Sequence, residues 1–279
     1  MTVRGRSSGK RGGSSRILIA VIFAVISLIT YFSSRQYNEV TDEVQYIDVT
    51  VAQEIALGLQ AAPQMAQQYG GESPDQQMRE MVDTIGERIV QASKLQETGY
   101  RFDFHLLADD KTVNAFALPG GQVFVTVGLL KLLQTEGELA GVLGHEVGHV
   151  VARHSAEHMA KAKLTEGLTG AAVMAAYDPD NPNSVGVAQM AALVGQMVNM
   201  KFGREDELES DKLGVHFTAA AGYDPRALIQ VMEALAQASG GSRQPEFLSS
   251  HPNPENRIEK IQAAIEAEFP NGLPEGLTP

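Results

Sequence analysis

Thr135-Glu-Gly-Glu-Leu-Ala-Gly-Val-Leu-Gly-His145-Glu146-Val-Gly-His149-Val-Val151 is the stretch that decides how this chain is read. Thr135 and Glu138 form a capping box, which satisfies orphan amides at a helix start. Leu139, Val142, Leu143, Val147 and Val150 then recur at helical spacing. His145 and His149 stand four residues apart, so their imidazoles share a face and converge on one point. Zinc takes neutral imidazole nitrogens at about 2.0–2.1 Å, and a catalytic site needs three protein ligands plus one open position. Glu146, beside the first histidine, is placed to take a proton from a water held there. The pattern is short, but for a chain with seven histidines a chance match is on the order of one per cent.

The third ligand separates classes of metallopeptidase. An extended three-histidine motif would need Gly at 152 and His at 155, where the chain has Ala152 and Ser155. His154 and His158 fall on other faces of a straight helix and read as structural or solvent-facing. A carboxylate from a later helix is therefore required, and Glu205, Glu207 and Glu209 are the candidates within Arg204–Asp211. Glu207 and Asp211 are four apart. One can bind the metal while the other accepts the second N–H of a metal-bound imidazole, which sets its tautomer.

Outward from the motif, Val49–Tyr69 and Gln76–Gln96 carry helical periodicity, with a stop at Gly70-Gly71 and a start signal at Ser73-Pro74-Asp75-Gln76. Residues 102–106, 113–118 and 122–127 are short strands, the last two separated by Pro119-Gly120-Gly121, and a small antiparallel sheet is expected. Asp178–Asn183 is a loop signal. Asp224-Pro225 and Asn253-Pro254 each open a helix. The expected class is α+β and helix-dominated, with a protease domain over 49–269 and a loose tail over 270–279.

The net charge is −12, although five cations and no acid lie in residues 1–16, so the rest is strongly acidic and nucleic acid is not an expected partner. No cysteine is present, which removes disulfides and thiolate ligands. The basic segment 1–16 leads into an apolar run within 17–34, followed by a polar stretch, 35–48, read as a linker. As a helix, Ile17–Phe32 spans about 24 Å against a bilayer core of about 30 Å. Tyr31 and Phe32 stand where a signal peptidase would need small residues. The run therefore reads as an uncleaved anchor that leaves the main domain in an extracytoplasmic or periplasmic space, the alternative being a released domain after signal cleavage.

Taken together, Asn114-Ala-Phe-Ala-Leu-Pro-Gly-Gly, the histidine helix, Glu207-Leu-Glu-Ser-Asp211, Gly222-Tyr-Asp-Pro225 and His251-Pro-x-x-x-x-Arg257 resemble a known group. It is the zinc metallopeptidase family of bacterial HtpX and the periplasmic β-barrel-assembly-enhancing protease, related to the CAAX prenyl proteases. The resemblance covers about residues 49–268. It implies a gluzincin-type fold, one Zn²⁺ per chain on His145, His149 and Glu207, Glu146 as catalytic base, and Asp211 behind a ligand. Ser210 replaces the usual Ala before that Asp.

His251 would reach the active site in such a family, either donating to the oxyanion or occupying the metal's open position. Asn114, Ala115 and Phe116 begin an expected edge strand on which an extended substrate can pair. The expected function is zinc-dependent endoproteolysis of misfolded or membrane-associated envelope proteins. The competing reading is a zinc-bound latent binding protein or chaperone of the same fold.

Overall fold

The computed structural model describes residues 11–176, 202–240, 245–252 and 256–279. It divides into two compact units, residues 1–48 with 156–190, and residues 49–155 with 191–279. Asp178–Asn183 and Asn253-Pro254, read above as a loop and a helix start, lie outside the described residues.

In the first unit, helix α1 (Arg11–Ser33) is followed by strands β1 (Arg35–Asn38) and β2 (Glu43–Tyr46), which pair antiparallel. The stretch 35–48, read above as a linker, holds a hairpin over 35–46. Its turn is built locally: the Asn38 side chain accepts the amides of Val40 and Thr41 at 2.9 and 3.4 Å, and Asp42 takes φ 61°. Tyr46 stacks on Tyr31 at 5.1 Å and meets the edge of Phe32 at 5.7 Å, which fastens the hairpin to the end of α1. Apolar side chains of α1 from Ile17 to Phe32 are mostly exposed. Among the described residues no helix is long and apolar enough to cross a membrane.

The second unit begins with α2 (Val51–Gln68), capped by a reciprocal box between Thr50 and Gln53, and α3 (Gln76–Ala92). The cap of α3 is Asp75, whose side chain accepts the Met78 amide at 3.0 Å, while the Ser73 amide donates to Leu106 instead. Strands β3 (Asp103–Leu107), β4 (Ala115–Leu118) and β5 (Gln122–Thr126) form a sheet in the order β3-β5-β4. The expected antiparallel pairing holds for β4 and β5, but β3 runs parallel to β5, so the sheet is mixed. After β3 the chain passes to the outer edge, and the Pro119–Gly121 turn returns it to the middle.

That turn needs its glycines. Gly120 has φ +88°, and a Cβ there would fall 2.3 Å from the Ile55 Cα of α2. Met65, Tyr69, Leu107, Leu118 and Phe124 form the core between α2 and the sheet.

A short helix α4 (Val127–Leu130) leads to α5 (Glu136–Val151), which carries the histidines. Thr135 accepts the Glu138 amide at 3.2 Å, but the Glu138 carboxylate accepts the Gln134 amide in place of the Thr135 amide, so the expected capping box is only half formed. From Gly137 to Val151 this helix is buried on every side. After it, α6 (His154–Ala176) leaves this unit. Helices α7 (Arg204–Ala220), α8 (Ala227–Ser239), α9 (Phe247–Ser250) and α10 (Arg257–Glu268) complete the described chain. Helix α7 packs closely along α5: a Cβ at Gly148 would lie 3.1 Å from the Ser210 carbonyl oxygen, and one at Gly214 would lie 3.1 Å from the His145 amide nitrogen. The glycine at 148 thus lets the helix backbones approach, and Ser210 is buried in the contact. Beyond Pro270 the chain is not loose: Thr278 bonds to Gly222 and Asp224, and the Pro279 carbonyl accepts the Gly137 amide at 3.0 Å.

Candidate metal centre

Close packing of α5 against α7 sets two pairs of residues, each one helical turn apart, face to face: His145 and His149 on α5, Glu207 and Asp211 on α7. His251, just past α9, enters from a third direction. His145, His149, Glu207 and His251 are all buried, and each offers one ligand atom within 4.8 Å of the others. His158, Glu205 and Glu209 are not in this set. Glu205 is exposed, and Glu209 is engaged with His154.

The separations test whether the donors suit a metal. Four ligands at zinc's bond lengths in a tetrahedron stand about 3.4 Å apart. His145 Nε2 lies 3.1 Å from His149 Nε2, 3.3 Å from His251 Nδ1 and 3.6 Å from Glu207 Oε2. Glu207 Oε1 lies 3.4 Å from His149 Nε2 and 3.0 Å from His251 Nδ1. The tautomers support the same reading. His145 Nδ1 faces Asp211 at 2.9 Å and His149 Nδ1 faces His154 Nδ1 at 2.8 Å, so both Nδ1 atoms are occupied as donors. Their Nε2 lone pairs then confront each other at 3.1 Å, an arrangement that a shared cation stabilises.

Charge points the same way. Glu146, Glu207 and Asp211 are buried carboxylates facing one buried guanidinium, Arg257. His251 also faces Glu207 and Glu146, at 3.0 and 3.4 Å, and the excess of buried carboxylates over the single guanidinium favours a bound cation. Burial raises the Glu207 carboxyl, but His251 and His149 outweigh it and hold the group well below the usual carboxylate range. At Asp211 burial is likewise overcome, chiefly by Arg257 and His145, and its acidity is strengthened. Burial lowers His149 well below the ordinary imidazole range, which suits a neutral ligand.

Glu146 behaves differently. Burial is the largest influence and lifts its carboxyl above the usual range, with His251 and His145 pulling against that. Neither carboxylate oxygen has a hydrogen-bond partner among the described residues, and Oε1 is 3.4 Å from His251 Nε2. A raised, unencumbered carboxyl beside the metal position is the profile of a proton acceptor.

Two residues at the site were not assigned a role from sequence. Arg257 holds Asp211 with both Nε, at 2.7 Å, and a terminal nitrogen, at 2.8 Å, and its other terminal nitrogen approaches Glu207 at 3.1 Å without hydrogen-bond alignment. Its place in His251-Pro-x-x-x-x-Arg257 was the available signal. His154, read as structural or solvent-facing, is buried against His149. The straight-helix assumption failed because α5 ends at Val151 and Arg153 takes φ 60°.

Asn114 is buried just before β4, Ala115 is buried at its start and Phe116 is half-buried, so the strand expected to be exposed is largely covered, although it lies at an edge of its three-stranded sheet.

The description Peptidase family M48 matches residues 76–265. The β-barrel assembly-enhancing protease of Escherichia coli K12 is 30% identical over 224 residues, covering 75% of this chain and 43% of that protein. Mitochondrial metalloendopeptidase OMA1 of Schizosaccharomyces pombe is 30% identical over 237 residues, 84% of this chain and 67% of the relative. OMA1 of Arabidopsis thaliana is 37% identical over 159 residues, 57% and 31%. The chain spans less than half the length of the bacterial relative.

Proposed function

The chain belongs to peptidase family M48, and from that premise we propose that it is a zinc-dependent endopeptidase acting on unfolded or misfolded proteins at a membrane. The observation that carries the proposal is the convergence of buried His145, His149, Glu207 and His251, whose ligand atoms lie within 4.8 Å of one another, with Glu146 beside them. His145, His149 and Glu207 would hold the ion, oriented by Asp211 and Arg257. Once bound, the ion supplies the Lewis acidity that activates water and polarises the scissile carbonyl. Glu146 accepts the water's proton and returns it to the leaving amine.

His251 stands at the fourth corner, with Nδ1 toward the ligand set. As a latch it would compete there with water and would have to withdraw for turnover. Edge strand β4 supports main-chain pairing with an extended substrate, which demands an unfolded segment more than a particular sequence. The exposed apolar side chains of α1 support membrane association, with the protease domain on the extracytoplasmic side as the basic N-terminal residues direct.

The test is cleavage of an unfolded casein by the full chain. One zinc per chain is expected, with at least roughly 100-fold loss of rate on chelation and recovery with added zinc. His251→Ala should raise the initial rate if the latch dominates, and kcat/KM should climb with peptide length if β4 binds the backbone. Equal turnover of dipeptides would remove β4 from the mechanism. Stoichiometric zinc without cleavage, in the wild type and His251→Ala alike, would favour the latent binding protein. Absence of stoichiometric zinc would end both readings.

A further inference from the structure

We infer that His154, held by Glu209, is a positioning residue that orients His149 toward the metal. The inference rests on the metallopeptidase reading and adds a residue to it. On a continuous helix His154 would lie about 140° round from His149, unable to touch it. Instead α5 ends at Val151, Arg153 adopts φ 60°, and α6 starts at His154 itself. A left-handed conformation at a non-glycine residue costs on the order of 1–2 kcal/mol and persists only where its surroundings hold it.

Here they do. Arg153 Nε donates to buried Glu54 at 2.9 Å, and a terminal nitrogen donates to the Val49 carbonyl at 2.8 Å. Tyr100 closes on the same carboxylate at 3.4 Å. The break therefore has its own anchorage, and its result is that His154 folds back beneath His149.

The tautomers then follow from neighbours. His154 Nε2 faces Glu209 at 2.9 Å, with Asp206 at 4.0 Å, so it carries the proton. Its Nδ1 is left as an acceptor, 2.8 Å from His149 Nδ1 and 3.3 Å from the Ser210 hydroxyl. His149 must donate from Nδ1, which commits Nε2 to the metal position. His145 is oriented by a carboxylate directly, and His149 by an imidazole with a carboxylate behind it. Glu209 thus has a use distinct from the ligand Glu207 two residues earlier. Phe202, stacked on the His149 ring at 4.0 Å, limits its rotation.

The experiment measures zinc affinity of the full chain by competition with a chromophoric chelator, a readout independent of turnover. His154→Leu, which keeps bulk and removes the acceptor, should weaken zinc binding by about 10–100-fold. His154→Asn, whose amide oxygen can replace Nδ1, should recover most of that loss. Should His154→Leu fail to fold, Glu209→Leu at the half-exposed end of the chain of contacts should still weaken binding by several-fold.

Zinc affinity unchanged in His154→Leu, or lowered equally in the leucine and asparagine variants, would overturn the inference. A wild type without stoichiometric zinc would overturn the metallopeptidase reading along with it.

Discussion

Glu146→Gln is expected to lower kcat for peptide hydrolysis by roughly 10³-fold, within the range of about 10²–10⁴ that general acid–base catalysis supplies. Zinc content should stay at the wild-type level. The reasons are geometric. Glu146 is not among the four residues with converging ligand atoms, and its carboxylate accepts no hydrogen bond among the described residues. Its removal therefore deprives the ion of nothing. The amide keeps the shape of the side chain and loses only the ability to take a proton. Stability should hold or rise, because a desolvated carboxyl is exchanged for a neutral group. Steady-state hydrolysis of an internally quenched peptide, alongside metal analysis and thermal unfolding, separates the possibilities. Activity within threefold of wild type would take the base role from Glu146. A collapse in zinc content would make it a ligand or a support for one.

Much of this centre was legible because the helix converts spacing into direction. His145 and His149, and separately Glu207 and Asp211, are pairs at i and i+4, so each pair must share a face whatever the tertiary fold. Choosing Glu207 over Glu205 and Glu209 is then a matter of which face of α7 meets α5, and Gly148 and Gly214 lie where the two backbones approach. What stayed hidden depends on departures from regular geometry or on long-range pairing. A left-handed residue at Arg153 redirected His154, and no local signal announces such a conformation at an arginine.

The parallel partner of β3 was equally hidden. Alternation in Phe102–Leu106 marks a strand, but strand order is decided by how the connection over residues 108–114 crosses the sheet. The hairpin at 35–46 and the return of Thr278 to Gly222 likewise rest on contacts that period and composition do not encode. Arg257 lies between these cases. Its motif was visible, while its role required knowing that α10 delivers it to Asp211, 46 residues away in sequence.

Arg257→Met is expected to destabilise the metal-free chain by about 3–5 kcal/mol, the scale of removing one partner from a buried ion pair. Arg257 is 1% exposed, and it is the guanidinium that grips Asp211 through two nitrogens and reaches toward Glu207. Lysine should not substitute, because an ammonium cannot match both carboxylate oxygens of Asp211 while also addressing Glu207. The size of the effect should depend on metal. Without zinc, Arg257 is the principal counter-charge to Asp211 and lies 3.1 Å from Glu207, and its loss leaves the buried Asp211 carboxylate with only His145 beside it. With zinc bound, Glu207 gains a second cation, so part of the penalty disappears and the variant's apparent stability recovers more with added metal than the wild type's does. Denaturant unfolding with chelator and with excess zinc measures both terms. A penalty below about 1 kcal/mol without metal would mean that solvent already screens these carboxylates in the folded chain. The same penalty in both conditions would separate Arg257 from the metal, leaving it a purely structural clasp between α7 and α10.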